Sequence, residues 1–241
     1  MHKKACVIIP TYNEAENIRP LLEGLEAVFE GVSGYSMDIV IADDRSPDGT
    51  GDIVSGLAET YGNISIELGE KEGMGAAYVR VLPHVLDSYD VILTMDADFS
   101  HPPEMIPQFL EKIDSGCDVV IGSRYIKGGG APDWPVRRQL ISFSANMMTR
   151  VVAGLYSIHD CTSNYRAIRT SVLKKIPLEK LSTRGFAFVT TTLWEYNKQK
   201  SCICEIPLIF YDRKKGKTKL GLKDIIEFLF NCFRLRMRSL K

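Results

Sequence analysis

The chain of 241 residues is 45% hydrophobic and 25% charged, and its formal net charge is zero. That balance suits one globular domain with a sizeable core and argues against a disordered chain. Residues 212–241 nevertheless contain ten Lys or Arg against three Asp or Glu. Such a basic tail favours an anionic surface or substrate, the alternative being a solvated basic face. No nucleic-acid role is expected, because the basic residues lack interleaved aromatics and a known motif.

The predicted elements alternate between strand and helix through the first 125 residues. Apolar runs predict strands at 5–9, 39–42, 64–68, 91–95 and 119–121, and helical spacing predicts helices at 14–29, 52–61, 73–85 and 103–113. This rhythm is typical of an α/β fold with a mostly parallel, doubly wound sheet.

The rhythm breaks after Tyr125. The Gly- and Pro-rich residues 127–135 have the composition of a mobile loop. Beyond them we expect helices at 136–153 and 191–198, a strand at 203–207, and a last helix from 222 to about 237.

The six cysteines are scattered, and Cys202 and Cys204 are closer together than the usual spacing of a zinc finger. We therefore expect reduced thiols in a cytosolic protein, most of them filling the core. The amino-terminal apolar stretch is too short for a signal peptide, and no run approaches the length of a membrane-spanning helix. These features predict a soluble or peripheral protein.

Two acidic pairs each follow an apolar, strand-like run: Asp43 with Asp44, and Asp96 with Asp98. Ligands of open α/β sheets bind outside the carboxyl ends of the strands, so we expect both pairs to converge on one crevice. Four carboxylates brought together there need a cation or a ligand's donors to neutralise them. A sugar nucleotide with a divalent metal on its diphosphate supplies both.

The individual motifs leave alternatives open. Asp96 and Asp98 suit Mg²⁺ or Mn²⁺ shared with phosphate oxygens, although two solvated acids in a surface turn would look the same. Asp43 and Asp44 can accept hydrogen bonds from ribose hydroxyls or base N–H groups. Tyr12 offers a flat face to a base in a segment that could otherwise simply begin a helix.

Four motifs occur in order: residues 10–14 (PTYNE), 43–50 (DDRSPDGT), 96–104 (DADFSHPPE) and 122–125 (GSRY). Further matches lie at 128–142, 162–163 and 213–220. Together they cover nearly the whole chain and resemble the inverting family-2 glycosyltransferases of the GT-A fold. Within that family the resemblance is to the dolichyl-phosphate (polyprenyl-phosphate) mannosyltransferases.

This resemblance implies metal-dependent transfer of mannose from GDP-mannose to a polyprenyl or dolichyl monophosphate, with inversion to a β-mannosyl phosphate. A phosphate nucleophile is already ionised near neutral pH, since its second pKa is about 6, and it needs no strong general base. Thr191 stands where relatives commonly have a Glu, which a phosphate acceptor tolerates better than a hydroxyl acceptor does. Another donor such as UDP-glucose, or a non-catalytic nucleotide-binding scaffold, remains an alternative.

The resemblance also implies roles for individual residues. Contacts to guanosine and ribose fall to Pro10, Tyr12, Glu14, Ala42, Asp43 and Asp44, with Ala97 along the nucleotide. The metal ligands would be Asp96 and Asp98, with Ser100 where some relatives have a Gln ligand. The residues facing the sugar and the phosphates would be Arg124, Arg213 and Lys219. The acceptor phosphate would meet Arg138 and Ser142.

The implied organisation is a GT-A catalytic domain over 1–211, with a nucleotide-binding half (1–125) and an acceptor half (126–211). A basic loop and an amphipathic helix follow in 212–241. The apolar segment 225–233 beside Arg234, Arg236 and Arg238 is typical of a helix in a membrane interface, the alternative being packing on the protein's own core. We expect a cytoplasmic protein, peripheral on the cytosolic face of a membrane, with a small membrane-anchoring subunit as a partner.

Overall fold

The structure is a computed structural model that describes residues 2–181, 185–212 and 222–239. Within these residues, one sheet contains seven strands in the order β3-β2-β1-β4-β6-β5-β7. The strands are β1 (Lys3–Thr11), β2 (Tyr35–Asp43), β3 (Ile64–Leu68), β4 (Val91–Thr94), β5 (Val119–Ser123), β6 (Arg166–Arg169) and β7 (Ile203–Pro207). All neighbours are parallel except β6, which runs antiparallel to both β4 and β5.

Helices cover both faces of this sheet. They are α1 (Ala15–Phe29), α2 (Thr50–Tyr61), α3 (Met74–Val85), α4 (Ile106–Asp114), α5 (Val136–Val152), α6 (Thr170–Leu173), α7 (Gly185–Lys198) and α8 (Leu222–Ser239). Alternate residues of β1 enter two separate cores: Val7 and Ile9 pack with α1, α2 and α4, whereas Cys6 and Ile8 pack with α3, α6 and α7. Burial on both faces explains why β4 and the centre of β1 are continuous apolar runs, and the predicted doubly wound α/β architecture is confirmed.

The central strands fix where the acidic pairs lie. β1 pairs with β2 on one side and β4 on the other, all three parallel, so their carboxyl ends meet at one edge. The pair Asp43–Asp44 ends β2, and Asp96 and Asp98 follow β4. Because β1 separates the two pairs, they flank the end of that strand about two strand spacings apart, roughly 10 Å.

Strand β6 and the one-turn helix α6 that follows it are elements that sequence patterns did not predict. Strand β6 has four residues and an arginine at each end, so its apolar signal is short. Helix α7 begins at Gly185 rather than at residue 191, and the remaining predicted elements are present with small shifts at their ends.

The loop at residues 127–135 is held in place, contrary to its composition. The Gly130 N–H donates to the carbonyl of Leu208 at 2.9 Å, and the Phe210 N–H donates to the carbonyl of Gly130 at 2.8 Å. Trp134 is buried and packs edge-on against Phe210, with ring centroids 5.2 Å apart. A side chain at Gly129 would lie 2.3 Å from the carbonyl oxygen of Ser123, so only glycine permits this close approach.

Cys117 and Cys204 form a disulfide, so the expectation of reduced thiols throughout is wrong for this pair. Their separation of 87 residues hides the contact in the sequence. The pairing of β5 with β7 brings them together. Cys6, Cys161 and Cys232 are buried free thiols, and Cys202 is exposed.

Helices α5 and α8 pack together and present apolar side chains to solvent. We call these side chains together the outer apolar face; its members are Val136, Leu140, Ile141, Phe143, Met147 and Val151 of α5, and Leu229, Phe230, Phe233 and Met237 of α8. Phe228, Cys232 and Leu235 on the opposite side of α8 are buried. Packing on the protein's own core is confirmed for one stripe of the last helix, whereas the membrane interface stays a prediction for the exposed stripe. No helix in the described ranges has the length and apolar character needed to cross a bilayer.

Candidate active site

Asp43 organises the turn between β2 and α2. Its carboxylate accepts hydrogen bonds from the Thr11 hydroxyl at 2.7 Å, the Ser46 hydroxyl at 2.6 Å and the Ser46 N–H at 2.8 Å. The side chain is almost fully buried. These contacts join the ends of β1 and β2, so Asp43 holds the β2–α2 turn against the end of β1.

Asp44 is paired with a cation from another element. Its Oδ1 accepts a hydrogen bond from Arg80 Nη2 of α3 at 3.1 Å. Burial raises the pKa of Asp44, and Arg80 only partly offsets this effect. A side chain at Gly69 would lie 1.8 Å from Arg80 Nη1, so the absence of a side chain there lets the guanidinium reach Asp44.

The turn between β1 and α1 rests on the next turn. The Asn13 N–H donates to the Ser46 hydroxyl and the Glu14 N–H donates to the Thr50 hydroxyl, each at 3.0 Å. Tyr12 carries Lys71 over its ring, with the ammonium 3.5 Å from the centroid. An aromatic face and a cation thus lie together beside the Asp44 loop, which suits a nucleotide.

Asp96 and Asp98 lie in a tight turn after β4. Asp98 Oδ1 accepts from the Ser100 hydroxyl at 2.6 Å and from the Ser100 N–H at 3.2 Å, while Phe99 adopts a left-handed conformation with φ of 63°. Asp96 Oδ1 accepts from the Asn164 amide at 3.0 Å, and Asn164 also donates to the Tyr78 hydroxyl. Both carboxylates are therefore oriented by neighbouring side chains.

His101 supports this turn from below. Its Nδ1 accepts a hydrogen bond from the Asp96 N–H at 2.9 Å, and its ring stacks on Tyr165 at 4.8 Å between centroids. Burial lowers the pKa of His101, which keeps the imidazole neutral and able to accept that bond. The histidine thus fixes the turn's backbone.

The four aspartates do not gather around one point. In the part of the chain that the structure describes, no three carboxylates bring ligand atoms within 4.8 Å of one another. The expectation of a single four-carboxylate cluster is therefore wrong. Asp43 accepts hydrogen bonds within its own turn, Asp44 pairs with Arg80, and Asp96 and Asp98 lie in a separate loop. The physical reason is the intervening strand β1.

The Asp96–Asp98 loop fits a hard divalent cation. Its donors are carboxylate oxygens at the carboxyl edge of the sheet, the class that Mg²⁺ and Mn²⁺ prefer. Ser100 is buried, and its hydroxyl donates a hydrogen bond to Asp98, so it positions that carboxylate.

Arg124 and Asp160 form a buried ion pair next to this loop. Arg124 Nε donates to Asp160 Oδ2 at 2.7 Å, and Nη2 donates to Asp160 Oδ1 at 2.8 Å and to the Thr162 hydroxyl at 2.7 Å. Burial alone would raise the pKa of Asp160, but Arg124 and the surrounding N–H donors hold it below its usual range. Two guanidinium nitrogens thus serve Asp160 and Thr162, and Nη1 takes no part in these bonds.

A second cation lies beside Trp134. The guanidinium of Arg138 is 4.2 Å from the Trp134 ring centroid, and its Nη1 donates to Asp212 at 2.9 Å. The indole Nε1 is buried and has no hydrogen-bond partner among the described residues. Ser142 accepts a hydrogen bond from the Tyr125 hydroxyl at 2.8 Å. An anion's oxygen would satisfy this unpaired buried donor, which belongs to a ring that the guanidinium groups of Arg124 and Arg138 both approach.

Several expected site residues need separate mention. Arg213 and Lys219 lie outside the described residues. Pro10 and Ala42 sit opposite each other in the β1–β2 register, at the edge that carries Tyr12, while Ala97 is buried between Asp96 and Asp98. Thr191 does not face the crevice, because its hydroxyl bonds Asn231 of α8 at 3.3 Å.

Sequence patterns did not single out Asp160, Asn164 or Arg80. Asp160 and Asn164 belong to a polar run, residues 159–164, that directly precedes β6. That run lies at the edge of the sheet that carries the acidic pairs because β6 is antiparallel to β4 and β5. The amino-terminal end of β6 therefore meets the carboxyl ends of those two strands. Recognising a short strand after the polar run is the signal that could have found Asp160 and Asn164. That signal does not mark Arg80, which lies in α3.

The fold has solved counterparts. Mannosyl-3-phosphoglycerate synthase from Rubrobacter xylanophilus superimposes with a TM-score of 0.69 at 17% identity, covering 99% of this chain and 74% of that one. Glucosyl-3-phosphoglycerate synthase from Mycobacterium tuberculosis, crystallised with Mn²⁺ and UDP, gives 0.67 at 18% identity, covering 95% and 80%. At such low identity the likeness establishes the fold, which is GT-A.

Sequence relatives are closer. The chain is 38% identical to the polyprenol monophosphomannose synthase of Mycolicibacterium smegmatis, over 95% of this chain and 85% of that protein. It is 36% identical to the dolichol-phosphate mannosyltransferase of Pyrococcus furiosus, over 96% of this chain but only 63% of that protein. It is 35% identical to the undecaprenyl-phosphate mannosyltransferase of Micrococcus luteus, over 96% and 93%.

The family model described as glycosyl transferase family 2 matches residues 6–177, the stretch that contains the Asp43–Asp44 turn, the Asp96–Asp98 loop and the Arg124–Asp160 pair. With this match, and with relatives that align along almost its whole length, the chain belongs to glycosyl transferase family 2.

Proposed function

We propose that this protein transfers mannose from GDP-mannose to a polyprenyl monophosphate, with inversion at the anomeric carbon. The observation that carries the proposal is the shared chemistry in the names of three relatives, each aligned with at least 95% of this chain. The division into a nucleotide-binding half (1–125) and an acceptor half (126–211) is part of the same proposal.

The donor side consists of the β1, β2 and β4 edges. Tyr12 and Lys71 would receive the base, and Asp44, held by Arg80, would accept hydrogen bonds from ribose or base. Pro10, Glu14, Ala42 and Ala97 would line the same pocket. Asp43 contributes by holding the turn in shape.

Asp96 and Asp98 would hold a divalent cation, Mg²⁺ or Mn²⁺, against the donor diphosphate. When bound, such an ion offsets the charge that develops on the leaving diphosphate. The protein's own part is orientation: Ser100 fixes Asp98, and Asn164 with His101 fixes Asp96.

The acceptor side would be the cradle formed by Trp134, Arg138 and Arg124. A phosphate oxygen there could accept a hydrogen bond from the unpaired indole N–H. The positive charge of both guanidinium groups would attract the same phosphate. Holding the phosphate in line with the anomeric carbon supplies proximity and orientation. Ser142, bonded to Tyr125, links this cradle to helix α5.

In the reaction, a phosphate oxygen of the polyprenyl phosphate forms a bond to the anomeric carbon of mannose. The bond from that carbon to the β-phosphate oxygen breaks, and its electron pair leaves on GDP. Attack from the opposite face turns an α-linked donor into a β-linked product. Arg213 and Lys219 are proposed to neutralise the diphosphate as it leaves.

The membrane would bind at the outer apolar face. Its exposed side chains lie beside exposed Arg137, Arg234 and Arg236, the combination that favours an anionic bilayer surface. A polyprenyl chain is itself buried in lipid, so an enzyme that takes its phosphate must approach that surface. Peripheral attachment at the cytosolic face, with a small membrane subunit as partner, belongs to this proposal.

The direct test incubates the purified protein with radiolabelled GDP-mannose, a short-chain prenyl phosphate and Mn²⁺, then extracts with organic solvent. We expect lipid-soluble label from GDP-mannose and little from UDP-glucose. Label from UDP-glucose alone would refute the donor assignment, and nucleotide binding without transfer would indicate a scaffold.

The acceptor cradle is tested by Trp134→Phe, which removes the indole N–H but keeps an aromatic ring beside Arg138. We expect kcat/KM for the prenyl phosphate to fall about tenfold, the effect of one lost hydrogen bond to a charged group, with an unchanged KM for GDP-mannose. Trp194→Phe, at a buried tryptophan on α7, is the matched control. Equal kinetics for the two variants would show that the Trp134 indole does not bind the acceptor phosphate.

Membrane attachment is tested by flotation with vesicles that contain anionic lipid. Phe233→Glu alters an exposed residue of the outer apolar face and should reduce the bound fraction, because a charge replaces apolar surface. Tyr61→Glu changes an exposed aromatic residue of α2 and should leave binding intact. Loss of binding in both variants, or in neither, would contradict the assigned face.

A further inference from the structure

Three cysteine sulfurs meet at the edge of the sheet opposite the acidic pairs. The Sγ atoms of Cys117, Cys202 and Cys204 all lie within 4.8 Å of one another. Cys117 and Cys204 are bonded to each other, whereas Cys202 is a free, exposed thiol. They lie where β5 and β7 begin, far from the carboxyl ends of those strands.

The sheet itself holds the third sulfur beside the disulfide. The carbonyl oxygen of Cys202 accepts hydrogen bonds from the N–H groups of Asp118 at 2.8 Å and Val119 at 3.1 Å. The N–H of Cys202 donates to the carboxylate of Asp118 at 2.8 Å. These three bonds fix the backbone of Cys202 next to the residue that follows Cys117. The proximity therefore follows from strand pairing.

A free thiol beside a disulfide is the arrangement required for exchange. We infer that Cys202, Cys117 and Cys204 form a thiol–disulfide exchange site, in which Cys202 is the attacking nucleophile. The Cys202 thiolate forms a bond to Cys117 Sγ, the Cys117–Cys204 bond breaks, and its electron pair leaves on Cys204 Sγ. Cys204 takes up one proton for the one that Cys202 lost. The step is balanced without an external oxidant or reductant.

A structural metal site is the other use of three close sulfurs, and two observations count against it. Two of the three sulfurs are bonded to each other and so are not thiolate ligands. Cys202 and Cys204 are separated by one residue, less than the two to four usual between paired ligands of a zinc site.

The exchange changes which sulfurs meet solvent. Cys117 is 5% exposed and Cys204 is only partly exposed, so the bond between them is shielded from soluble thiols. A Cys117–Cys202 bond would include the exposed residue. Cys202 therefore gives a small thiol of the glutathione class a route to a disulfide that it could otherwise reach only slowly.

The exchange is tested by locating the free thiol. The native protein is held at pH 8, quenched in acid, denatured and alkylated, and then digested with trypsin. Cys117 falls in residues 113–124, and Cys202 and Cys204 share residues 201–213, within which fragmentation locates the label. We expect label mainly on Cys202 and a second population with label on Cys204. Cys6, Cys161 and Cys232 are free and take label in every case. Among the three clustered cysteines, label on Cys202 alone, or label on all three with a bound metal ion, would overturn the proposal.

A rate measurement separates the role of Cys202 from simple exposure. Cys202→Ser should slow reduction of the native disulfide by glutathione about tenfold or more, because the internal attack is lost. Ser201→Ala, at the preceding residue, keeps all three sulfurs and should match the wild type. Circular dichroism checks that both variants fold. Equal reduction rates for all three proteins would also overturn the proposal.

Discussion

Asp160→Asn should be among the most destabilising substitutions near the crevice. The Asp160 carboxylate is fully buried and accepts hydrogen bonds from Arg124, from the Thr162 hydroxyl, and from the N–H groups of residues 124, 162 and 163. An amide keeps one acceptor oxygen but turns an NH₂ group towards these donors. The guanidinium of Arg124, only 9% exposed, then loses its counter-ion.

The expected cost is about 3–5 kcal/mol, the range for removing one partner of a buried ion pair. For a chain of this size, each kcal/mol lowers the melting temperature by about 2–4 °C, so a fall of roughly 6–20 °C is expected. Urea and thermal denaturation followed by circular dichroism measure both quantities. Asp212→Asn is the control, because Asp212 and Arg138 are each about one-third exposed and their pair should contribute under about 1 kcal/mol.

The pH dependence has a defined sign. The pKa of Asp160 lies below its value in the unfolded chain, so its stabilisation is complete above the unfolded pKa of about 3.9 and declines below that pH. The difference in the free energy of unfolding between wild type and Asp160→Asn should thus be constant near neutral pH and become smaller in acid. A variant within about 1 kcal/mol of wild type at pH 7 would refute the assignment of a buried, mutually dependent pair.

Three further substitutions probe other contacts. Gly69→Ala should displace Arg80 from Asp44 and raise the KM for the nucleotide sugar about fivefold, the effect of one lost hydrogen bond, whereas Gly56→Ala, which meets no neighbour, should not. Asn231→Ala should lower the free energy of unfolding by about 1–3 kcal/mol in urea titrations, because Asn231 bonds Thr190 and Thr191 across the α7–α8 interface. Asp98→Asn should reduce transfer about 10²-fold with an unchanged circular dichroism spectrum, and exposed Asp52→Asn should retain activity. Unchanged kinetics in Gly69→Ala or Asp98→Asn, or unchanged stability in Asn231→Ala, would contradict the contact described for that residue.

Most of the fold could be predicted because local sequence and tertiary role agree. Strand β3 alternates apolar and polar residues, the local pattern of a strand, and its predicted bounds match the structure. Strand β6 differs, because arginines end it and only its pairing with β4 and β5 makes it a strand. Tertiary context decides such an element, and a local pattern does not report it.

The candidate site divides in the same way. Strand-end motifs identified the loops, since the carboxyl edge of a parallel sheet collects them. These motifs could not indicate that Asp43 would accept hydrogen bonds from Thr11 and Ser46. A carboxylate that stabilises a turn has the same sequence signature as one that binds a ligand. The pairing of Arg124 with Asp160 depends on where β6 inserts, and 36 residues separate the two.

The reversed direction of β6 has a consequence for how this edge tolerates change. Side chains on the parallel strands reach the edge as the chain leaves the sheet, whereas Asp160, Thr162 and Asn164 reach it as the chain enters. Asp160 bonds Arg124 after β5, and Asn164 bonds Asp96 after β4, so the entering segment ties two strand exits together. An insertion there would displace both contacts at once, whereas an insertion after a single parallel strand would disturb one exit.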